Sequence, residues 1–227
     1  DEEEDDALVA RHEREIFPLM RSRHLLSGAQ HYHLFDFEHD AGHVDENVFV
    51  YSNRAGAERA LLAYNNAYAN THGRVRRSTP VNTGTAEAPE LVQRGLHEAL
   101  ALNTSETCYY IYTDYPSGLE YLVYARDIAG HGLPLHFSGY QYYALMDWRE
   151  IQDFDRSWGK LHALLAGQGV PSVEEAYLEM HLSGIIEPFE RMLTPDMVEL
   201  LAEPPKTAQA LRPFRQAAET FFEAVAE

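Results

Sequence analysis

Cysteine, lysine and long apolar runs are all scarce in this 227-residue chain. The single cysteine, Cys108, excludes an internal disulfide framework and any multi-cysteine zinc or iron–sulfur site. Lysine occurs only at Lys160 and Lys206, and 18 basic residues face 36 acidic ones, for a formal charge of -18. A nucleic-acid binder needs a cationic face to displace counterions, so neither a polynucleotide nor an anionic lipid surface is expected as partner. No apolar run approaches the roughly 20 residues of a membrane span. Nor does a basic-then-apolar leader open the chain, which begins Asp-Glu-Glu-Glu-Asp-Asp. A start without Met, in an acidic run, reads as a fragment or a processed chain. The compartment therefore stays open, with the cytoplasm favoured.

What is present is globular in composition: 45% hydrophobic, 11% aromatic and 24% charged. Leu8, Val9, His12, Ile16, Leu19 and Met20 recur at helical spacing, with Asp5 or Asp6 able to cap the start. Pro18 predicts a kink or two short helices, ending near Gly28. The texture then turns to β. His31–Phe37, Asn47–Asn53 and Arg59–Tyr64 read as strands, the last buried on both faces. Residues 66–88 read mostly as loop, and Pro89-Glu90 as the start of a helix carrying Leu91, Val92, Leu96 and Leu100. Four further β runs follow: Tyr109–Tyr112, Leu119–Tyr124, Leu133–Phe137 and Tyr140–Trp148.

Six or seven short strands in about 120 residues predict an antiparallel β-sandwich rather than a parallel sheet. Past residue 154 the pattern is helical. Trp158, Leu161, Leu164 and Leu165 form one stripe, Ser172 with Glu175 forms a capping box, and Thr194-Pro195 opens another helix. A last amphipathic helix spans 207–226, with Pro213 expected as a kink. The expected organisation is a helical segment 1–27, a sandwich 28–153 and a helical region 154–227. The class is mainly β with flanking helices.

The densest polar constellation is His31, His33, Asp36, Glu38, His39, Asp40, His43 and Asp45. His-x-His on a strand puts two imidazoles on one face, a metal-binding geometry. The calcium-loop register fails, however, with Ala41 where Gly is needed and Asn47 where Glu is needed. A polar hairpin loop with surface histidines is the preferred reading, so neither a metal nor any other cofactor is assigned. Cys108 sits in an aromatic strand, as a buried small apolar residue would. Ser52, Ser117 and Ser138 lack a nucleophile elbow, and no glycine-rich phosphate loop occurs. Carboxylates are abundant, yet none is marked out as a catalytic pair. Of 14 tyrosines, nine crowd residues 109–143. Because they alternate along strands, about half must face outward, into a domain contact or a glycan-stacking surface, and the domain contact is preferred.

These residues also carry a family resemblance. The stretch ARHEREIFPLMRSRHLLSGAQHYHLFDFEHDAGHVDENVFVYSNRAGAERALLAYNNAYA (10–69) resembles the segment just after the catalytic barrel in a subgroup of large α-amylase-family glycoside hydrolases. Within it, VFVYSNRAGAERALLAYNN (48–66) is similar to the opening strands of that family's C-terminal sandwich. SGLEYLVYARDI (117–128) and LPLHFSGYQYYALMDWREI (133–151) resemble its later strands, and GVPSVEEAYLEMHLSGIIEPFERML (169–193) the helical stretch beyond. The resemblance implies a parent enzyme acting on α-glucans through an (α/β)-barrel with an aspartate nucleophile, a glutamate acid/base and a second aspartate. Neither Asp-x-x-x-Asn-His nor Gly-x-Arg-x-Asp occurs here, and a barrel of about 250 residues cannot fit. No catalytic residue carries over.

Three readings follow. The first is a soluble, non-catalytic C-terminal portion of an α-glucan-active glycoside hydrolase or glucanotransferase, with a barrel domain or chain as partner and an α-glucan as ligand. The second is a stand-alone carbohydrate-binding or scaffolding module. The third is a small metal-dependent enzyme built on the His31–Asp45 cluster.

Overall fold

A computed structural model describes residues 5–202 and 208–226. The chain forms two compact units, Asp1–Val173 and Glu174–Glu227. The first unit opens with three short helices, α1 (Asp6–Glu15), α2 (Phe17–Arg21) and α3 (Arg23–Leu26). Asp5 caps α1 by accepting from the Ala7 and Leu8 amides at 3.0 and 3.1 Å. Pro18 lies in the first turn of α2, where its missing N–H costs nothing, so the predicted break falls there.

The strands then follow as β1 (His33–His39), β2 (Val48–Ala55), β3 (Glu58–Asn65) and β4 (Thr71–Ser78). A small ribbon pairs β5 (Val81–Asn82) with β6 (Leu91–Val92) and leads into α4 (Leu96–Ala99). Next come β7 (Cys108–Asp114), β8 (Leu119–Tyr124), α5 (Ala125–His131), β9 (Leu133–Phe137), β10 (Tyr142–Gln152) and α6 (Ser157–Leu165). The helix α7 (Val173–Met192) begins at the boundary, and α8 (Pro195–Ala202) and α9 (Arg212–Ala226) belong to the second unit.

Eight strands make one antiparallel sheet in the order β8-β7-β10-β3-β2-β1-β4-β9. The β2–β3 hairpin turns on Gly56, whose φ of +61° suits a residue without Cβ. The sheet curls upon itself into a half-barrel. Phe137 on the edge strand β9 meets Phe37 of β1 edge-on, with centroids 5.4 Å apart, and Tyr143 of the distant β10 at 5.1 Å. Both edge strands line one cavity, through Tyr121 and Leu122 on β8 and Leu133 and Leu135 on β9. Inside the curl, Phe37, Val50, Leu61, Val75, Tyr110 and Leu145 form the core, closed by Leu96 and Leu100 about α4 and Ile128 of α5. On the outer side of β3, Ala60 packs with Met146 and Leu25 of α3. The segment Arg59–Tyr64 is thus covered on both faces around Ala60 and Leu61, as its nearly continuous apolar run predicts, but its outer face opens towards Tyr64, which is exposed.

The β-rich class with helices at both ends is what the structure shows. Several local expectations are corrected. Residues 66–88 contain β4, whose alternation Thr71, Gly73, Val75 inward and His72, Arg74, Arg76 outward was masked by its small and basic residues. Leu91 and Val92 lie on a strand rather than a helix, because Gly95 separates them from Leu96 and Leu100. There are ten strands rather than six or seven among the described residues, and a helix, α5, between two of them. Pro213 stands in the first turn of α9, so it starts that helix without kinking it. Residue 207, the expected start of the last helix, lies outside the described residues.

Candidate functional site

The sequence-predicted polar cluster is split by the length of β1. At its near end His31 accepts from Arg54 Nη2 at 3.3 Å. His33 is half-buried, and burial first, then the nearby Arg94, His31 and Arg54, pulls its pKa below the ordinary histidine value. Two guanidiniums beside two imidazoles oppose a cation at this end. Asp36 lies half-buried on the strand between.

At the far end, Glu38 pairs with Arg76 at 3.1 Å. His39 stacks on His43 (4.6 Å between centroids) and lies 4.9 Å from His72, which Asp40 approaches at 3.7 Å. His72 in turn stacks on His136 of the neighbouring strand at 6.1 Å. Asp45 accepts from the Thr71 hydroxyl at 2.7 Å and from the Asn47 amide at 3.1 Å. The Thr71 bond above all holds its carboxyl below the usual range. Among the described residues, no three His, Cys, Asp or Glu side chains converge as metal ligands would.

This far end opens into a polar groove of about 460 Å³ formed by the β1–β2 and β3–β4 loops. His43, Asp45, Asn47, Asn65, Asn70 and Thr71 are among the side chains that line it. Its floor is held by Asn65, which is 1% exposed. The Asn65 amide donates to the carbonyls of Ala69 (2.8 Å) and Ser138 (3.0 Å), and its oxygen accepts from the Ala67 N–H at 3.1 Å. One buried side chain thereby ties the β3–β4 loop to the β9–β10 loop. The Tyr140 amide adds a bond to the Ala67 carbonyl at 3.0 Å.

The two loops that Asn65 ties together each carry an exposed tyrosine. Tyr68 is 85% exposed and Tyr140 56%, with ring centroids 6.0 Å apart and planes inclined at 47°. Gly139 allows the close approach: a Cβ there would sit 2.7 Å from the Tyr68 carbonyl oxygen. Tyr140 itself holds φ at +57°, a strained setting for a bulky residue.

Most of the aromatic run 109–143 is consumed by packing. Tyr110 and Tyr112 are core residues, Tyr121 and Tyr143 pack against them, and Tyr109 lies on Tyr124 at 4.8 Å. The Tyr115 hydroxyl donates to Asp147, and that of Tyr142 donates to Glu15. Of the nine, Tyr140 alone is an exposed large hydrophobic. Tyr68 escaped the sequence reading because it lies outside that run. Its signal was an aromatic residue set in a turn-forming stretch, Asn65-Asn66-Ala67-Tyr68-Ala69-Asn70.

Two other places carry polar chemistry. Arg76, Arg77, Gln93 and His97 line a cavity of about 280 Å³ beside α5, where His97 Nδ1 has no hydrogen-bond partner among the described residues. Cys108 is fully buried, and burial pushes its thiol up to about 11, which makes it inert as a nucleophile at neutral pH. No described helix is long and apolar enough to cross a membrane. Comparison of the chain with protein-family models, curated proteins and solved structures finds no match in any of the three.

Proposed function

We propose that this chain is the non-catalytic C-terminal part of an α-glucan-active enzyme of the α-amylase family, a hydrolase or glucanotransferase. In this reading the curled sheet corresponds to that family's C-terminal sandwich, and the partner is a preceding catalytic barrel. The observation that supports it is the uneven packing of the N-terminal helices. Leu25 of α3 is 2% exposed against the outer side of the sheet. A few residues earlier, Leu8, Ile16, Phe17 and Met20 leave an apolar surface in solvent, with Met20 at 65%. A segment that is anchored at one end and apolar in solvent at the other has the form of a linker that packs on a neighbouring domain.

The coding sequence ahead of Asp1 tests this, together with assay of the full-length product on maltodextrins. An upstream (α/β)-barrel with glucan activity is the expected result. An upstream region without a barrel overturns the reading. So does turnover of maltodextrin by residues 1–227 alone that survives repurification. The second reading, a carbohydrate-binding module, is favoured by the Tyr68–Tyr140 pair.

A further inference from the structure

We infer that the groove at the loop end of the sheet, together with Tyr68 and Tyr140 on the loops beside it, is a saccharide-binding surface for a neutral, curved glucan chain. The inference deepens the proposed function and rests on it for the α-linkage of the ligand; the surface itself is argued from geometry. Exposed rings are costly in water unless something covers them, and Tyr68 presents nearly its whole side chain. The backbone that carries the two rings is held before any ligand arrives, because Asn65 ties both loops together and the Tyr140 amide is bonded to Ala67. Preorganised aromatic faces stack on the C–H faces of pyranose rings with little ordering cost.

Tyr140 strengthens the case. A left-handed backbone position favours glycine, yet here it carries a large side chain turned into solvent. Turn geometry does not call for that ring, which lies against Tyr68. Next to the rings, the groove offers the amides of Asn47 and Asn70, the carboxylate of Asp45 and the imidazole of His43. Amide, carboxylate and imidazole groups are the donors and acceptors that sugar hydroxyls take.

Charge and angle narrow the ligand. A chain of formal charge -18 repels sulfated and uronic-acid polymers, which leaves neutral glycans. The 47° between the ring planes suits successive residues that turn along the chain, as in an α-1,4-glucan. A flat β-1,4-glucan needs rings that are nearly coplanar.

The test is titration of the 227-residue chain with maltoheptaose and, in parallel, cellohexaose. Tyr68→Ala and Tyr140→Gly are expected to weaken maltoheptaose binding by about tenfold or more each. Tyr140→Gly relieves its own backbone strain, so an unfolded variant does not explain a loss, and thermal melting checks this. Phe154→Ala removes an equally exposed aromatic residue elsewhere (84% exposed) and is expected to leave binding unchanged. The inference is overturned by the absence of maltoheptaose binding, by binding indifferent to both tyrosines, or by equal binding of cellohexaose. An upstream barrel combined with no binding would remove this surface alone and leave the parent reading standing. Tyrosine-dependent binding without an upstream barrel would do the reverse.

Discussion

The two units spend similar apolar residues in opposite ways. In the first, Phe37, Leu61, Val75, Tyr110 and Leu145 are almost wholly removed from water in the curl of the sheet. In the second, Leu178, Leu182, Ile186 and Phe189 run along α7 at intervals of three or four residues, yet each is at least 38% exposed. No described residue from 174 onward is buried. Helical periodicity alone therefore does not report burial. It reports a face that could be buried, and what lies opposite decides the outcome. Since most helix stability in proteins comes from tertiary packing, the first unit has the means to stand alone and the second has much less.

The widest contrast is obtained by deleting the same atoms from both. Leu61→Ala opens a hole in a dense core and should cost about 2–5 kcal/mol. Leu182→Ala, on a half-exposed face where alanine is the better helix former, should change stability by about 0.5 kcal/mol or less. Urea unfolding followed by near-ultraviolet circular dichroism measures both. Equal losses would mean that α7 is covered in solution and would erase the distinction.

That contrast also marks what was legible in the sequence. Leu119–Tyr124 and Leu133–Phe137 were readable to the residue, because short apolar and aromatic runs between turn residues have few alternative uses. The strand β4 was not, since its inward positions include Thr71 and Gly73 and its outward ones His72, Arg74 and Arg76. Its place is set by pairing with β1 and β9, and those partners are distant in sequence. The candidate site was half legible. His39, His43 and Asp45 stood out as polar residues close together in the chain. Asn65, Tyr68 and Tyr140 join them only because three separate loops meet at one end of the sheet. The far half of the predicted cluster survives, and the His31–His33 pair belongs to a different end of the strand.

A middling effect is expected from one buried hydroxyl. The Tyr110 phenol donates to Glu150 at 2.8 Å and accepts from the Asn103 amide at 2.8 Å, while the Arg59 guanidinium lies 5.6 Å from its ring centre. Tyr110→Phe keeps the ring packing and leaves one donor and one acceptor poorly paired, at a cost of about 1–3 kcal/mol. The counterpart in α7 is Ser183, whose hydroxyl donates to the Met180 carbonyl on an exposed helix surface. Ser183→Ala should be neutral within about 0.5 kcal/mol. If the two substitutions cost the same, polar bonds in the second unit are as well shielded as those in the first.

The smallest effect concerns how α1 is held. Glu15 takes bonds from Arg14 at 2.9 Å and Arg11 at 3.0 Å, and from the Tyr142 hydroxyl of β10 at 3.0 Å. Led by the two arginines, these donors bring its carboxyl down to about 2 from an ordinary 4.5. A carboxyl whose folded pKa is depressed adds stability above its unfolded pKa, and that contribution drains away as pH falls from about 4.5 towards 2. Because both arginines are largely solvated, the contribution should stay below about 1 kcal/mol. Urea midpoints of the unsubstituted chain and of Glu15→Gln should differ modestly at pH 6 and converge near pH 2. Glu187→Gln, which breaks the exposed 3.5 Å pair with Arg191 in α7, should shift the midpoint negligibly at pH 6. A Glu15→Gln difference that persists unchanged at pH 2 would show that the anchoring of α1 to the sheet does not depend on this carboxylate's charge.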